Sequence, residues 1–484
     1  MAGGRDSLKI LSRSELRRIH SATMSVLEDT GVVFKCDKAL RVLNQAGARV
    51  EYKKEIAKFP ESLVDWALSK APSAFTFRAR NKAYDLRIGE GATYYTNGFG
   101  STNVLDLKPL RRRPATLKDL EEFTKIADYL RYVHYPITHC IPQDVPKRFV
   151  EQYVALAMME NTSKHIYSVT FSLDGAKDLM RMGSILVGGE EKFRKEPEII
   201  NSTVCPTSPL RYTSDASERT MEFSSHRVPF GIWPAPMAGA TAPATLAGTL
   251  VIQNAEVLAG IVLSQVVGEG TPILYGAGSS VMDMRYGTLA YASPELGLMN
   301  IAAAQLARYY RIPSYGTGGT IDSKMPDQQA AYESTLSNTL AALAGVDVIH
   351  DGVYGILESG MTASKAQFIV CHEIVEMVER VVRGIEVNDE TLAVDIISKL
   401  GPGGDFLAQR HTLQHFRREH WVPSLTDRSP RSEWERAGSK DVVERADEEA
   451  ERILKTQQPE PLEGDVRKEL EEFVRSRVKQ DGGK

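Results

Sequence analysis

The 484-residue sequence predicts an α/β protein built on a (β/α)8 barrel, with a helical cap before it and a helical extension after it. Three observations lead there. From about residue 91, short apolar or β-branched runs alternate with helical patterns eight times in succession. The stretches between the runs suit the right-handed crossovers that join parallel strands. The residues just past each run are small, polar and rich in glycine and proline, as loops at a barrel mouth are. An open doubly wound sheet competes with this reading, but such sheets more often stop at about five to seven strands.

The elements follow in order. Residues 9–75 read as helical: "SRSELRRIHSATMSVLEDTG" has a serine start, a run of helix formers and a glycine stop. "CDKALRVLNQAGARV" and "PESLVDWALSKAP" repeat the style, so residues 1–90 are expected to form the cap. The strand candidates are 92–98, 132–141, 164–171, 198–205, 228–235, 272–278, 313–319 and 346–350. Helical patterns such as "TLKDLEEFTKIADYL", "EQYVALAMMENT" and "PELGLMNIAAAQLARYY" lie between them, giving a barrel over 91–384. Residues 385–484 form the extension, where "GPGGDFLAQRHTLQHFRREHW" is a glycine-rich turn leading into a histidine-bearing helix. A charged helical tail follows, read as a packing or oligomer arm, and the final "RSRVKQDGGK" is expected to fray.

Composition narrows the function. With 59 basic against 63 acidic residues the net charge is −4, which gives no electrostatic case for nucleic acid. The N-terminus lacks the apolar core of a signal peptide, and no run approaches the ~20 uninterrupted apolar residues of a spanning helix. A cytoplasmic protein is expected. Cys36, Cys140, Cys205 and Cys371 are scattered without a CxxC, which suits reduced buried thiols; a Cys/His metal site assembled from distant strands is the alternative.

Two features at the strand ends point to chemistry. Tyr94, Tyr95, Phe99, Trp233, Tyr275, Tyr315 and Tyr354 cluster near these ends. Singly each reads as core packing; around one mouth they would hold a quaternary ammonium through cation–π contact. The glycines of "TNGFGS", "YGAGSS", "GTGGT" and "HDGVYG" would open that mouth, and no GxGxxG or P-loop spacing argues for phosphate. His350 and Asp351 stand where the last strand ends, in "VDVIHDGVYGILESG". Metal signals are weak: Cys371, His372 and Glu373 are adjacent on a helix and point apart, and His411 and His415 have no local acid or cysteine.

Long motifs then carry a resemblance. "PAPMAGATAPATLAGTLVIQNAEVLAGIVLSQ" (234–265), "SSVMDMRYGTLAYASPELGLMNIAAAQLARYY" (279–310) and "GTGGTIDSKMPDQQAAYEST" (316–335) resemble the trimethylamine methyltransferase family. So do "IPQDVP" (141–146), "CPTSPL" (205–210) and "GPGGDFLAQRHTLQHFR" (401–417), and the resemblance covers residues 10–460. It implies a (β/α)8 barrel that passes a methyl group to the cobalt of a corrinoid carried by a separate protein, without a metal of its own. The founding members carry pyrrolysine; this chain has none, and members without it are associated with quaternary amines such as glycine betaine, carnitine or proline betaine. The resemblance therefore implies a quaternary-amine donor, a cob(I)alamin-type acceptor, a cognate corrinoid protein as partner and a homo-oligomer. It departs at Asp405, where the family motif usually has histidine.

On this reading His350, Asp322 and Glu358 are the candidate catalytic groups. Tyr95, Asn97, Phe99, Gln143, Tyr275 and Tyr354 are the candidate substrate walls, and Gly318, Gly319 and His350 would face the corrin. A non-catalytic betaine-binding barrel and a zinc-dependent transferase or lyase are the competing functions.

Overall fold

The computed structural model describes residues 7–481. Its centre is a parallel sheet of seven strands: β1 (Tyr94–Asn97), β2 (Ile166–Tyr167), β3 (Ile200–Val204), β4 (Phe230–Ile232), β5 (Ile273–Ala277), β6 (Ser314–Thr317) and β7 (Val348–Val353). The order β1-β7-β6-β5-β4-β3-β2 makes the first and last strands neighbours, so the sheet curls round on itself. Eight helices pack outside it: α1 (Leu117–Tyr129), α2 (Val150–Asn161), α3 (Leu173–Leu186), α4 (Ser214–Ser225), α5 (Leu246–Val267), α6 (Pro294–Tyr310), α7 (Gln328–Leu343) and α8 (Lys365–Arg383).

The eighth expected strand, 132–141, is not a strand. Pro136 has no N–H to give a continuous ladder, so the segment meets β1 and the chain after it through scattered backbone bonds, such as His134 N–H to the Tyr95 carbonyl and Ser101 N–H to the His139 carbonyl, and through side chains. Asn97 spans the gap: its Oδ1 accepts from the Ile137 N–H at 2.7 Å and its Nδ2 donates to the Ile137 carbonyl at 2.8 Å. The Tyr95 N–H likewise donates to His134 Nδ1 at 2.9 Å. Toward β2 the Val169 N–H reaches the Thr138 hydroxyl at 3.2 Å, and buried Lys164 donates to the carbonyls of Ala127, Leu130 and Val133. A chain segment fills the seam, but no ladder crosses it.

The first ninety residues are not helical throughout, either. Val32–Phe34, Arg49–Glu51 and Ile56–Lys58 join Arg211–Tyr212 in a four-stranded sheet, and Phe75–Phe77 pairs with Leu86–Ile88 as a hairpin. Strands of three residues are too short to leave a periodic pattern in the sequence. The expectation of a frayed terminus meets a helix over Gly464–Asp481; residues 482–484 lie outside the described part.

Hydrophobic clusters separate inside from outside. Tyr94, Tyr135, Ile137, Tyr167, Leu274, Tyr315 and Val348 fill the interior, above the Phe77, Leu86 and Ile88 side chains of the hairpin. Helix α5 is apolar enough overall and long enough to cross a membrane, but 72% of its most apolar window is buried, which marks a core helix. At the strand-end side, the chain after β1 (Asn103–Leu107, Leu110–Pro114) pairs with the chain after β7 (Ile356–Leu357, Thr362–Ala363). The segments after β4 and β5 pair in the same way, Met237–Ala238 with Ser280–Asp283.

Candidate active site

The site grows from an irregularity in β7. Its register against β1 shifts between Ile349 and Val353, and Asp351 sits there at φ +65°. A bulge re-aims side chains, and a left-handed aspartate is a strained residue that the surroundings must hold. They do: the Asp351 N–H donates to the Thr96 hydroxyl at 3.2 Å, and Tyr291 donates its hydroxyl to Asp351 Oδ2 at 2.8 Å. His350 and Asp351 are both buried, at 4% and 1% exposure. His350 Nδ1 lies 2.9 Å from Asp351 Oδ2, but off the direction a hydrogen bond requires, so Nδ1 and Asp351 Oδ1 keep no hydrogen-bond partner.

Aromatic rings enclose the imidazole. Trp233 stacks on it at 5.2 Å between centroids, Tyr315 meets it edge-on at 5.0 Å, and Phe99 is 6.1 Å away and in turn 6.1 Å from Tyr167. Glycines make room for these rings. A Cβ on Gly278 would come within 2.6 Å of the Trp233 ring, and one on Gly231 within 3.0 Å of Tyr315. Several polar atoms around the rings lack partners: Trp233 Nε1, the Tyr315 and Tyr135 hydroxyls, and Thr203 Oγ1. Buried polar atoms are rarely left so, and here they cluster on one interior. Cys205, at the end of β3, is enclosed by protein yet borders open space, and burial pushes its thiol up to about 11. The interior is an aromatic enclosure holding one imidazole, one carboxylate and a set of unused donors.

The sequence-selected residues divide. His350 and Phe99 come together. Tyr95 and Tyr275 do not join them, because side chains alternate along a strand and their neighbours Tyr94 and Leu274 take the inward positions. Tyr95 donates to Glu379 on α8 at 2.6 Å, and Tyr275 donates to Asn254 on α5 at 2.8 Å. Tyr354 stands behind Tyr291, 6.1 Å from its ring. Asn97 binds the seam segment, and Gln143 is exposed. Asp322 anchors loops: it accepts from the N–H groups of Tyr291 and Ala292 and from the Ser359 hydroxyl. Glu358 pairs with Arg112 at 3.2 Å. Gly318 and Gly319 are buried under the bulge; a Cβ on Gly319 would stand 2.3 Å from the Asp351 carbonyl. The signal missed was that alternation: Trp233 and Tyr315 were visible as aromatics, and period two selects them over Tyr95 and Tyr275.

The other marked clusters scatter. Cys371, His372 and Glu373 reach three different partners, and His415 pairs with Glu390 at 3.2 Å. A cavity of about 910 Å³ between Lys177, Arg181, Glu222, Arg227 and Glu269 lies on the opposite face, beside the starts of β3 and β5, and mixes charges of both signs.

The chain is similar to known proteins over nearly its whole length. The chain is 38% identical over 463 residues to the trimethylamine methyltransferase MttB of Desulfitobacterium hafniense (strain DSM 10664 / DCB-2), covering 96% of this chain and 92% of that one. It is 35% identical over 475 residues to a glycine betaine methyltransferase of Desulfitobacterium hafniense (strain Y51), covering 98% of each. The crystal structure of the Methanosarcina barkeri monomethylamine methyltransferase shares the fold, at a TM-score of 0.53 and 11% identity over 96% of this chain and 89% of that one. The profile of the trimethylamine methyltransferase family matches residues 2–482, and the chain belongs to that family.

Proposed function

We propose that this chain is a methyltransferase that takes a methyl group from a quaternary amine and passes it to the Co(I) corrinoid of a partner protein. The observation that carries this is the enclosure around His350 by Trp233, Tyr315 and Phe99 beside the half-paired Asp351 carboxylate. Ring faces attract a cation without offering a nucleophile that would compete for its methyl group. The carboxylate supplies the countercharge in a site of low dielectric. The relative named for glycine betaine supports a quaternary donor, and the one named for trimethylamine, a tertiary amine, supports an N-methyl donor in general.

A quaternary ammonium leaves as a neutral amine, so the site needs no acid to protonate the leaving group. What it supplies is orientation and the removal of water. Trp233, Tyr315 and Phe99 hold the ammonium, and Asp351, fixed by Tyr291 and Thr96, holds its position relative to His350. The corrinoid, when its carrier docks, supplies the cobalt nucleophile. The fit to such an acceptor rests on the open space that Cys205 borders at the strand ends, the side from which a carrier would approach. We also take the 132–141 segment as the closing eighth stave of a (β/α)8 barrel over residues 91–384, with 1–90 as cap and 385–484 as brace.

The test is anaerobic transfer to free cob(I)alamin, read as loss of the Co(I) absorption band. Glycine betaine or a related betaine should drive it. No turnover with a broad panel of quaternary amines would overturn the proposal.

A further inference from the structure

Arg219 on α4 is a buried arginine, 7% exposed, whose hydrogen-bond partners are all neutral. Its place follows from where the sheet stops. The backbone bonds between β2 and β3 run only as far as the Ser168 N–H to the Asn201 carbonyl; past that point the backbones part, bridged by the Thr170 and Ser202 hydroxyls at 3.0 Å. The guanidinium fills the opening: Nη1 donates to the Thr170 carbonyl at 2.7 Å, the Thr170 hydroxyl at 3.3 Å and the Thr203 carbonyl at 3.1 Å. Its Nε has no partner. The buried acid of this region, Glu151, is taken up by the Phe171 and Ser172 N–H groups and the Ser172 hydroxyl.

A buried cation is costly when its hydrogen bonds all go to neutral groups, and Glu151 and Asp215 act on this one only at a distance, without a direct ion pair. The wall it stands in belongs to the aromatic site. Thr203 lies beside it, with an unpaired hydroxyl near the Tyr315 side of Gly231, and Cys205 is two residues further on. Tyr167, one of the enclosing rings, is within electrostatic reach of both Arg219 and Asp351. The interior therefore has a negative end at Asp351, among the rings that suit an ammonium, and a positive end at Arg219.

We propose that Arg219 binds the acidic group of the methyl donor, so that the site selects a zwitterion, a quaternary ammonium carrying a carboxylate, over an amine that bears the cation alone. This rests on the quaternary-amine reading of the same site and narrows it. The in-plane N–H groups on the Nε edge of the guanidinium would donate to the carboxylate, and the trimethylammonium end would lie toward Trp233 and Asp351.

The measurement is calorimetric titration of the whole protein with glycine betaine, carnitine and choline, the last having the same ammonium group without the acid. At least one of the two acids should bind roughly tenfold to a hundredfold more tightly than choline, the range of a charge-assisted hydrogen-bonded pair. Arg219→Gln should remove that advantage and leave choline binding unchanged, and Arg219→Lys should keep part of it. Equal binding of choline and the acids by the unaltered protein would overturn the proposal, as would binding of neither acid, or equal weakening of every ligand in Arg219→Gln. The unaltered protein decides the matter even if the variants fail to fold. Selective binding without methyl transfer would sink the enzyme reading and leave Arg219 in its role. Transfer from choline as fast as from the betaines would do the reverse.

Discussion

His350 is gripped on two sides by rings and on a third by its own neighbour Asp351, so its position is fixed without a directional hydrogen bond at Nδ1. Replacing it separates chemistry from packing. His350→Ala should lower methyl transfer at least about a hundredfold, because one misplaced wall loosens the whole near-attack geometry. Its cost in stability should be only about 2–3 kcal/mol, a Tm shift of a few degrees for a chain this long. Equal collapse of both would return the residue to structural duty. Tyr95 is the control. Its hydroxyl points to Glu379, away from the enclosure, so Tyr95→Phe should cost about 1–2 kcal/mol and leave the KM for the amine unchanged. A raised KM would refute the outward placement. His350 was legible in the sequence because it ends the last strand, and Phe99 because it follows a glycine at the end of the first. Asp351 was visible beside His350, but its aim needed the bulge, which no pattern of apolar residues announces, and Arg219 needed the place where two strands part.

At the level of elements, α5 buries one carboxyl group in a helix that is mostly apolar. Glu256 is fully buried; its Oε1 accepts from the Leu210 N–H at 2.7 Å and its Oε2 from the Ser208 hydroxyl at 2.8 Å. It thereby fixes the loop that runs on from Cys205 into the cap. Burial raises its carboxyl from 4.5 to about 7. The folded protein thus holds this proton more tightly than the unfolded chain does. The stabilisation is fully present below about pH 4.5 and is lost as pH rises through about 7. Glu256→Gln keeps an acceptor for Leu210 and removes the titration. Thermal melts at pH 5 and pH 8 should show the variant losing less stability than the parent across that interval; parallel losses would count against it. The strands around this helix were legible because β-branched runs bounded by glycine and proline recur at even spacing. The 132–141 segment misled because its apolar residues continue through Pro136, whose missing N–H outweighs the pattern. The three-residue strands of the cap were below what periodicity can register.

For the molecule as a whole, the seam between β1 and β2 is where the sheet has no ladder, and the C-terminal chain lies across the helices on that side. Val442–Thr456 packs Ala446, Ala450 and Ile453 against α8 and α1. The chain then crosses the foot of the seam: Gln457 donates to Asp128 at 2.9 Å, the Glu460 N–H to the Ser163 hydroxyl at 2.9 Å, and Arg80 to the Glu460 carbonyl at 2.8 Å. Gly464–Asp481 continues over α2 and α3, burying Leu470 and Val474 and pairing Arg467 with Glu160 and Arg477 with Asp178. A charged tail in sequence is in this way a strap in the fold. Ending the chain at residue 441 should remove about 5 kcal/mol or more, from the apolar side chains it would expose. The loss should not be uniform, because local openings follow local contacts. Amide exchange should quicken first in 132–141 and 164–171, while β4, β5 and β6 keep their protection. If the truncated chain loses protection evenly around the sheet, the strap carries no special duty at the seam; if 132–141 opens first, the extension substitutes for the ladder that Pro136 forbids.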